Sequence, residues 1–453
     1  MTSMFDPCRR RVLCTGIGLA ALAFARGALT EPASKRLRIA AARQSLVGSG
    51  NPDTAVWTYN GTVPGPELRF KQGERLRLEV ENALAVATTV HWHGLRVPNA
   101  MDGVPGLTQA PIAANGGKFV YEFDLRDAGT FWYHPHLGSP EQVARGLYGA
   151  LIVEERNPPA MDRDLAWVLS DWRLDREARL VESFGNPMDA SHAGRIGNTV
   201  TVNGAIRDSF AVRAGERIRL RLINASNARI YAPLFEGHSP RILALDGQPV
   251  ANLNQRVVLG PGMRADLVLD CVGAPASRHR VIDDFYAQRA YELLKLEYSA
   301  EKPIRQAFEP LPWVAPNPLS APDLAKAERH RIAFGGGMMG ALPSQREHKG
   351  LFWTVNGKPV AEHERHGEPI LSLRRGGSYR IELVNDTAWH HPIHLHGHVF
   401  RVLTADHWAD SVLLDPRSRA EIAFVADNPG DWMLHCHVLE HQATGMMAVV
   451  RVA

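Results

Sequence analysis

The chain has 453 residues, 45% of them hydrophobic and 22% charged, with a formal net charge of +3. So small a charge argues against nucleic acid or an anionic membrane surface as a partner, and no basic run is interleaved with aromatic residues. The length exceeds what one hydrophobic core usually supports, so two or three domains are expected.

Residues 1–28 read as a leader. Arg9, Arg10 and Arg11 precede an apolar run from Val12 to Ala25, and Ala23-Phe24-Ala25 offers a small-x-small cleavage site with Ala28 as the alternative. This is a secretory signal of twin-arginine character, which predicts a periplasmic or otherwise exported protein. The run is shorter than the roughly 20 residues a membrane span needs, so no stable membrane anchor is expected after processing. Removing the leader also removes Cys8 and Cys14. Only Cys271 and Cys436 remain, with no obvious disulfide. Cys271 reads as a small buried hydrophobe.

One pattern then recurs three times. Asn60-Gly61 is followed by GERLRLEVEN (Gly73 to Asn82), Asn203-Gly204 by GERIRLRLIN (Gly215 to Asn224), and Asn356-Gly357 by GGSYRIELVN (Gly376 to Asn385). Alternating apolar residues such as Leu76, Leu78 and Val80 predict half-buried strands. Frequent turn residues and scarce helical patterns predict an all-β sandwich in each copy. The expected domains are 36–157, 158–309 and 323–453, with the proline-rich stretch from Pro310 to Pro322 as the linker into the third. The ends of the outer copies also match: GTFWYHPH (Gly129 to His136) parallels GDWMLHCH (Gly430 to His437), and HWHG parallels HLHG. The first copy therefore looks like the third with its cysteine replaced by Pro135. The middle copy has no such histidine pairs and reads as a spacer.

Four tight groups hold ten of the 20 histidines: His91 and His93; His134 and His136; His391, His394 and His396; and His435, His437 and His441. Strand alternation puts both imidazoles of a His-x-His pair on one face, so eight rings can converge on a metal cluster. The last group adds Cys436 and Met446. A thiolate, two imidazoles and a distant thioether are the donors of a blue-copper site. Cys436, His441 and Met446 leave one equatorial position for a histidine from elsewhere. Cys436 faces away from His435 and His437, which wires one metal site to another through a few covalent bonds.

These motifs resemble those of the multicopper oxidases, the laccase-like family, over nearly the whole chain after the leader. The resemblance implies three tandem cupredoxin-like Greek-key domains and four coppers per chain. It makes His391, Cys436, His441 and Met446 the type 1 ligands and His91 and His394 the type 2 ligands. One type 3 copper would take His93, His134 and His437, the other His136, His396 and His435. The implied reaction couples one-electron oxidation of phenols, aromatic amines or Cu(I) to reduction of dioxygen. By the same analogy, the edge of His441 takes up the electrons and Asp102 relays protons. Many bacterial relatives carry an acid directly after the type 1 histidine, where this chain has Gln442; an amide cannot exchange a proton at neutral pH, so slower proton delivery is expected.

Other residues invite roles of lower weight. His390 and His398 read as packing residues beside the ligands, and His363 and His366 as solvated. Met338, Met339, Met433 and Met447 suggest a cuprous-ion site without a methionine-rich insertion, which keeps copper tolerance open as an alternative. Trp408 and Asp410 are expected to line the type 1 approach. A structural, copper-free cell-division protein is the competing reading from another class; the intact ligand set opposes it.

Overall fold

Each of the three Asn-Gly pairs makes the same turn. Asn60, Asn203 and Asn356 have φ of 55°, 51° and 49°, and the glycines after them 85°, 75° and 75°. Two successive left-handed residues make the tight hairpin turn whose twist matches its strands, and Asn-Gly tolerates that backbone best. Each asparagine Oδ1 also accepts from a strand amide: Arg38, Val168 and Ala333 in turn. The asparagine ending each strand motif is reused as well. Asn82, Asn224 and Asn385 each donate side-chain hydrogen bonds to carbonyls of the following loop, so the repeat is written in turn chemistry as much as in hydrophobic period.

The computed structural model describes residues 35–253, 256–311, 313–340, 350–361 and 368–453. The leader, His363 and His366 lie outside the described residues. The protein is all-β, built as three cupredoxin-type domains. In the first, one sheet runs Thr54–Tyr59, Lys35–Gln44, Arg75–Asn82, Gly117–Asp124, and the other Gly65–Lys71, Gly149–Glu154, Gly129–His134, His91–His93. Leu76, Leu78 and Val80 point into the space between them and are fully buried. The third domain repeats the scheme. Ser378–Asn385 lies at the middle of one sheet, and the other runs Leu371–Leu373, Met447–Val452, Gly430–Cys436, His391–Leu395, Ser411–Leu414. Among the described residues, no helix is long and apolar enough to cross a membrane.

The middle copy of the strand motif departs from the expected half-burial. Arg217–Asn224 is buried on both faces, because its arginine face packs against the first domain. Arg219 pairs with Glu155 and Asp266, and Arg221 with Asp164 and Asp266. Arg221 also donates to Thr130 Oγ1 at 2.8 Å. Each buried guanidinium has carboxylate partners, without which its burial would be prohibitive. Among its described residues the proline-rich stretch has no regular secondary structure, yet it is not loose. Asn317 Nδ2 donates to the Ala128 carbonyl and its Oδ1 accepts from the Ala128 amide, both at 2.8 Å.

Candidate metal centre

Antiparallel pairing aligns the histidine motifs. His91 faces His134 across one pair of strands, and His394 faces His435 across another. The outer domains bring these strand ends together: His91 stacks on His396 with centroids 3.9 Å apart, and His93 on His394 at 3.8 Å. His134 and His136 pack edge-on against His437 and His435, at 5.2 and 5.1 Å. Strand alternation separates Cys436 from its neighbours, and its sulfur lies 3.4 Å from His391 Nδ1 and 3.6 Å from His441 Nδ1. Met446 is buried in the same core. Its amide donates to the His441 carbonyl and its carbonyl accepts from the Cys436 amide.

Hydrogen bonds fix which nitrogen stays bare in seven of the rings. His91, His134, His394 and His435 donate Nδ1–H to the carbonyls of Asp102, Pro135, Asp410 and Cys436, at 2.8 to 3.0 Å. His396 donates Nδ1–H to Asp102 Oδ2 at 2.8 Å. His441 donates Nε2–H to the His192 carbonyl at 2.6 Å. Thr387 spends its hydroxyl proton on Asn385 Oδ1, so His391 Nε2 is the donor in their 2.7 Å contact. The consequence is physical. His396 Nε2 and His435 Nε2, both bearing lone pairs, face each other at 3.0 Å, and His391 Nδ1 faces His441 Nδ1 at 3.1 Å. Two acceptors at that distance repel unless a cation stands between them.

The remaining rings say the same. His91 Nε2, His93 Nδ1, His134 Nε2, His136 Nε2, His394 Nε2 and both nitrogens of His437 are buried without a partner, and each such atom costs about 1–3 kcal/mol. Burial first, and neighbouring imidazoles next, hold most of these rings well below the ordinary histidine range, and burial brings His441 down to about 3. The rings so held are therefore neutral, which is the form that binds metal. Burial pushes the Cys436 thiol up, so a thiolate there needs a bound cation. Four histidine triads or His/Cys triads, and His93 with His394 and Asp410, each gather their donor atoms within 4.8 Å of one another. This donor set fits copper: imidazoles in one cluster, and a thiolate with two imidazoles in the other.

The chain matches the multicopper oxidase family over 41–158, 163–278 and 342–453. It belongs to the multicopper oxidases. Among solved structures, it is similar to the multi-copper oxidase from Pseudomonas thermotolerans, with 37% identity, a TM-score of 0.83, and 93% of this chain and 99% of that one covered. Lac15 from a marine microbial metagenome shares 35% identity at a TM-score of 0.74, covering 93% and 100%. Multicopper oxidase MmcO of Mycobacterium tuberculosis is 29% identical over 88% of this chain and 83% of its own length. Like other multicopper oxidases, this copper enzyme is an oxidoreductase that couples four one-electron oxidations of reducing substrates to conversion of dioxygen, with four protons, into two waters.

Three expectations change. Asp410 does not line the approach to Cys436; it is buried beside His93 Nε2 at 3.2 Å, and its carbonyl orients His394. Trp408 lies on the edge strand His407–Ala409 of the other sheet. The middle domain is more than a spacer. It supplies Arg264, which grips Asp410, and Gly262, where a Cβ would press on the His437 and His93 rings. The glycine of HWHG has the same logic: Gly94 has φ +87°, and a Cβ there would overlap the Arg264 guanidinium and the Asp410 carboxylate. Finally, His441 offers no exposed edge, being fully buried under His192 and against Trp353 at 4.1 Å. Arg264, Thr387, His192 and Trp353 carry no motif that would have marked them. His398 is a packing residue against Trp432 and Phe424, and His390 is half-buried near Asp415.

Proposed function

We propose that the enzyme holds four coppers in the division that the family resemblance implies. His391, Cys436, His441 and Met446 bind a type 1 ion, and His91 and His394 a type 2 ion. His93, His134 and His437 bind one type 3 ion and His136, His396 and His435 the other. The observation that carries this reading is the pair of facing lone-pair contacts, His396–His435 and His391–His441, one in each cluster. Bound copper supplies one-electron acceptance and the reduction of dioxygen. The protein supplies the rest. Cys436 lies between His435 and His437 in the chain, so the peptide itself joins the sulfur site to the histidine cluster.

Asp102 is the proton carrier in this reading. It follows the short turn Asn99–Met101 and is fully buried. Oδ2 accepts from His396, while Oδ1 has no hydrogen-bond partner and sits 3.3 Å from His91 Nδ1. A carboxylate with one spare oxygen against the cluster is placed to hold and release a proton. Its second duty is to orient two rings. The preferred donors are phenols and aromatic amines. Cuprous oxidation is not favoured: of the four methionines that suggested it, Met433 and Met447 are buried with Val104 in a small apolar cluster, and Met338 and Met339 alone are exposed. Domain limits of 36–157, 158–309 and 323–453, and export by the twin-arginine route, complete the proposal. Metal analysis and an optical spectrum of aerobically purified protein test it. About four coppers per chain with an intense thiolate-to-copper band is the expected result; fewer coppers and no such band would sink it.

A further inference from the structure

The hydrogen bonds that fix the two imidazoles beside Cys436 lead outward to one place. From His441, the path runs through Nε2–H to the His192 carbonyl, 2.6 Å away. From His391, it runs through Nε2–H to Thr387 Oγ1 at 2.7 Å, and that oxygen accepts from the Trp389 amide at 3.1 Å. The His192 and Trp389 rings then meet edge to face, centroids 5.2 Å apart and planes inclined by 61°. Both residues are partly exposed, while His391 and His441 behind them are sealed. The indole is anchored as well. Its Nε1–H donates to the Met338 carbonyl at 3.1 Å, and the Met338 amide donates to the Ser191 carbonyl at 2.8 Å.

From this convergence we infer that the His192–Trp389 pair, rather than the edge of His441, is where a planar electron-rich aromatic donor docks and gives up its electron. The inference rests on the type 1 reading of the Cys436 site. Two rings set edge to face offer a third ring both stacking and edge contacts. A phenol docked there would give up one electron, carried along the His192 carbonyl and the His441 hydrogen bond to a copper ion that His391, Cys436 and His441 would hold. Its O–H bond would break at the same time, the proton going to bulk water and a phenoxyl radical leaving. Phenol would lose one electron and such an ion would gain it.

The test uses copper-loaded protein with Trp389→Ala, Trp389→Phe and His192→Ala, the last keeping the backbone carbonyl. Calorimetric binding of anisole, an electron-rich ring with no hydroxyl to oxidise, is measured beside kinetics with 2,6-dimethoxyphenol and with ferrocyanide, which has no ring to stack. The alanine variants are expected to weaken anisole binding and raise the phenol KM by about fivefold or more. Trp389→Phe should restore most of both, and ferrocyanide rates should stay within about twofold of the parent. Anisole binding and phenol KM unchanged in both alanine variants would overturn the inference. So would an equal loss with ferrocyanide. Should Trp389→Ala disturb the visible band, His192→Ala and Trp389→Phe carry the comparison. A parent protein without that band sinks the type 1 reading; a normal band with unchanged binding sinks the docking site alone.

Discussion

Arg264 holds Asp410 through two hydrogen bonds, Nη1 to Oδ1 at 2.8 Å and Nη2 to Oδ2 at 2.6 Å, with both side chains fully buried. The arginine comes from the middle domain and the aspartate from the third. Arg264 also donates to Asp246 Oδ1 at 3.2 Å, so one guanidinium bridges two acids beside the histidine cluster, and burial together with the Asp410 charge pushes Asp246 up to about 7. Its charge, opposing the effect of burial, keeps Asp410 well below the usual carboxylate range. Arg264→Met should therefore cost about 3–5 kcal/mol by stranding buried charge. Arg264→Lys should recover only part, because an ammonium cannot reproduce the two-pronged grip. Thermal unfolding of the three proteins checks this, and equal melting temperatures would refute it.

The buried imidazoles predict the pH dependence of the copper-free protein. His93, His134, His136, His391, His394, His396, His435, His437 and His441 are all held below the ordinary value, with burial the largest cause. Unfolded histidines titrate near ~6.5. Below that pH the unfolded chain binds protons that the folded chain refuses. Stability is thus undiminished above ~6.5 and falls as the pH drops, by about 1.4 kcal/mol per unit for each ring that stays neutral. Denaturant unfolding of copper-free protein at pH 7.5 and 5 should show a large loss at the lower pH. A flat profile would mean that these rings are not held neutral.

Asp102 should separate proton supply from metal binding. In Asp102→Asn the side-chain oxygen can still accept from His396, but an amide cannot ferry a proton. Turnover is expected to fall by about 10²–10⁴-fold while copper per chain stays near that of the parent. Oxygen uptake and metal analysis on the same samples read the two effects. Loss of copper in step with activity would leave Asp102 an orienting residue only.

Gln442 offers the converse change. It is almost fully buried on the short helix Leu439–Ala443, and both polar atoms of its amide lack partners. Glu440 does not replace the missing acid, because its carboxylate accepts from Asn227 and from the Arg195 amide in the middle domain. Gln442→Glu should speed turnover near neutral pH and shift the pH–rate profile upward. An unchanged profile would show that proton delivery does not pass through position 442.

Cys436→Ser should abolish the visible thiolate band and turnover with every donor, while the histidine cluster keeps its metal. Retained turnover would break the assignment of Cys436 as the link between the two sites.

Much of this enzyme was legible in its sequence because the relevant rules are local. Strand alternation is a property of neighbouring residues, so the opposite facing of Cys436 and its flanking histidines followed from the string HCH alone. The Asn-Gly turns and the strands after them followed from backbone preferences at single positions. What the sequence left open are pairings through space. Arg264 with Asp410 and His192 over His441 join residues on different domains, Asn317 against Ala128 joins the linker to the first domain, and no spacing rule connects such partners. Only packing the domains together decides which buried charge meets which, and which ring covers the metal site.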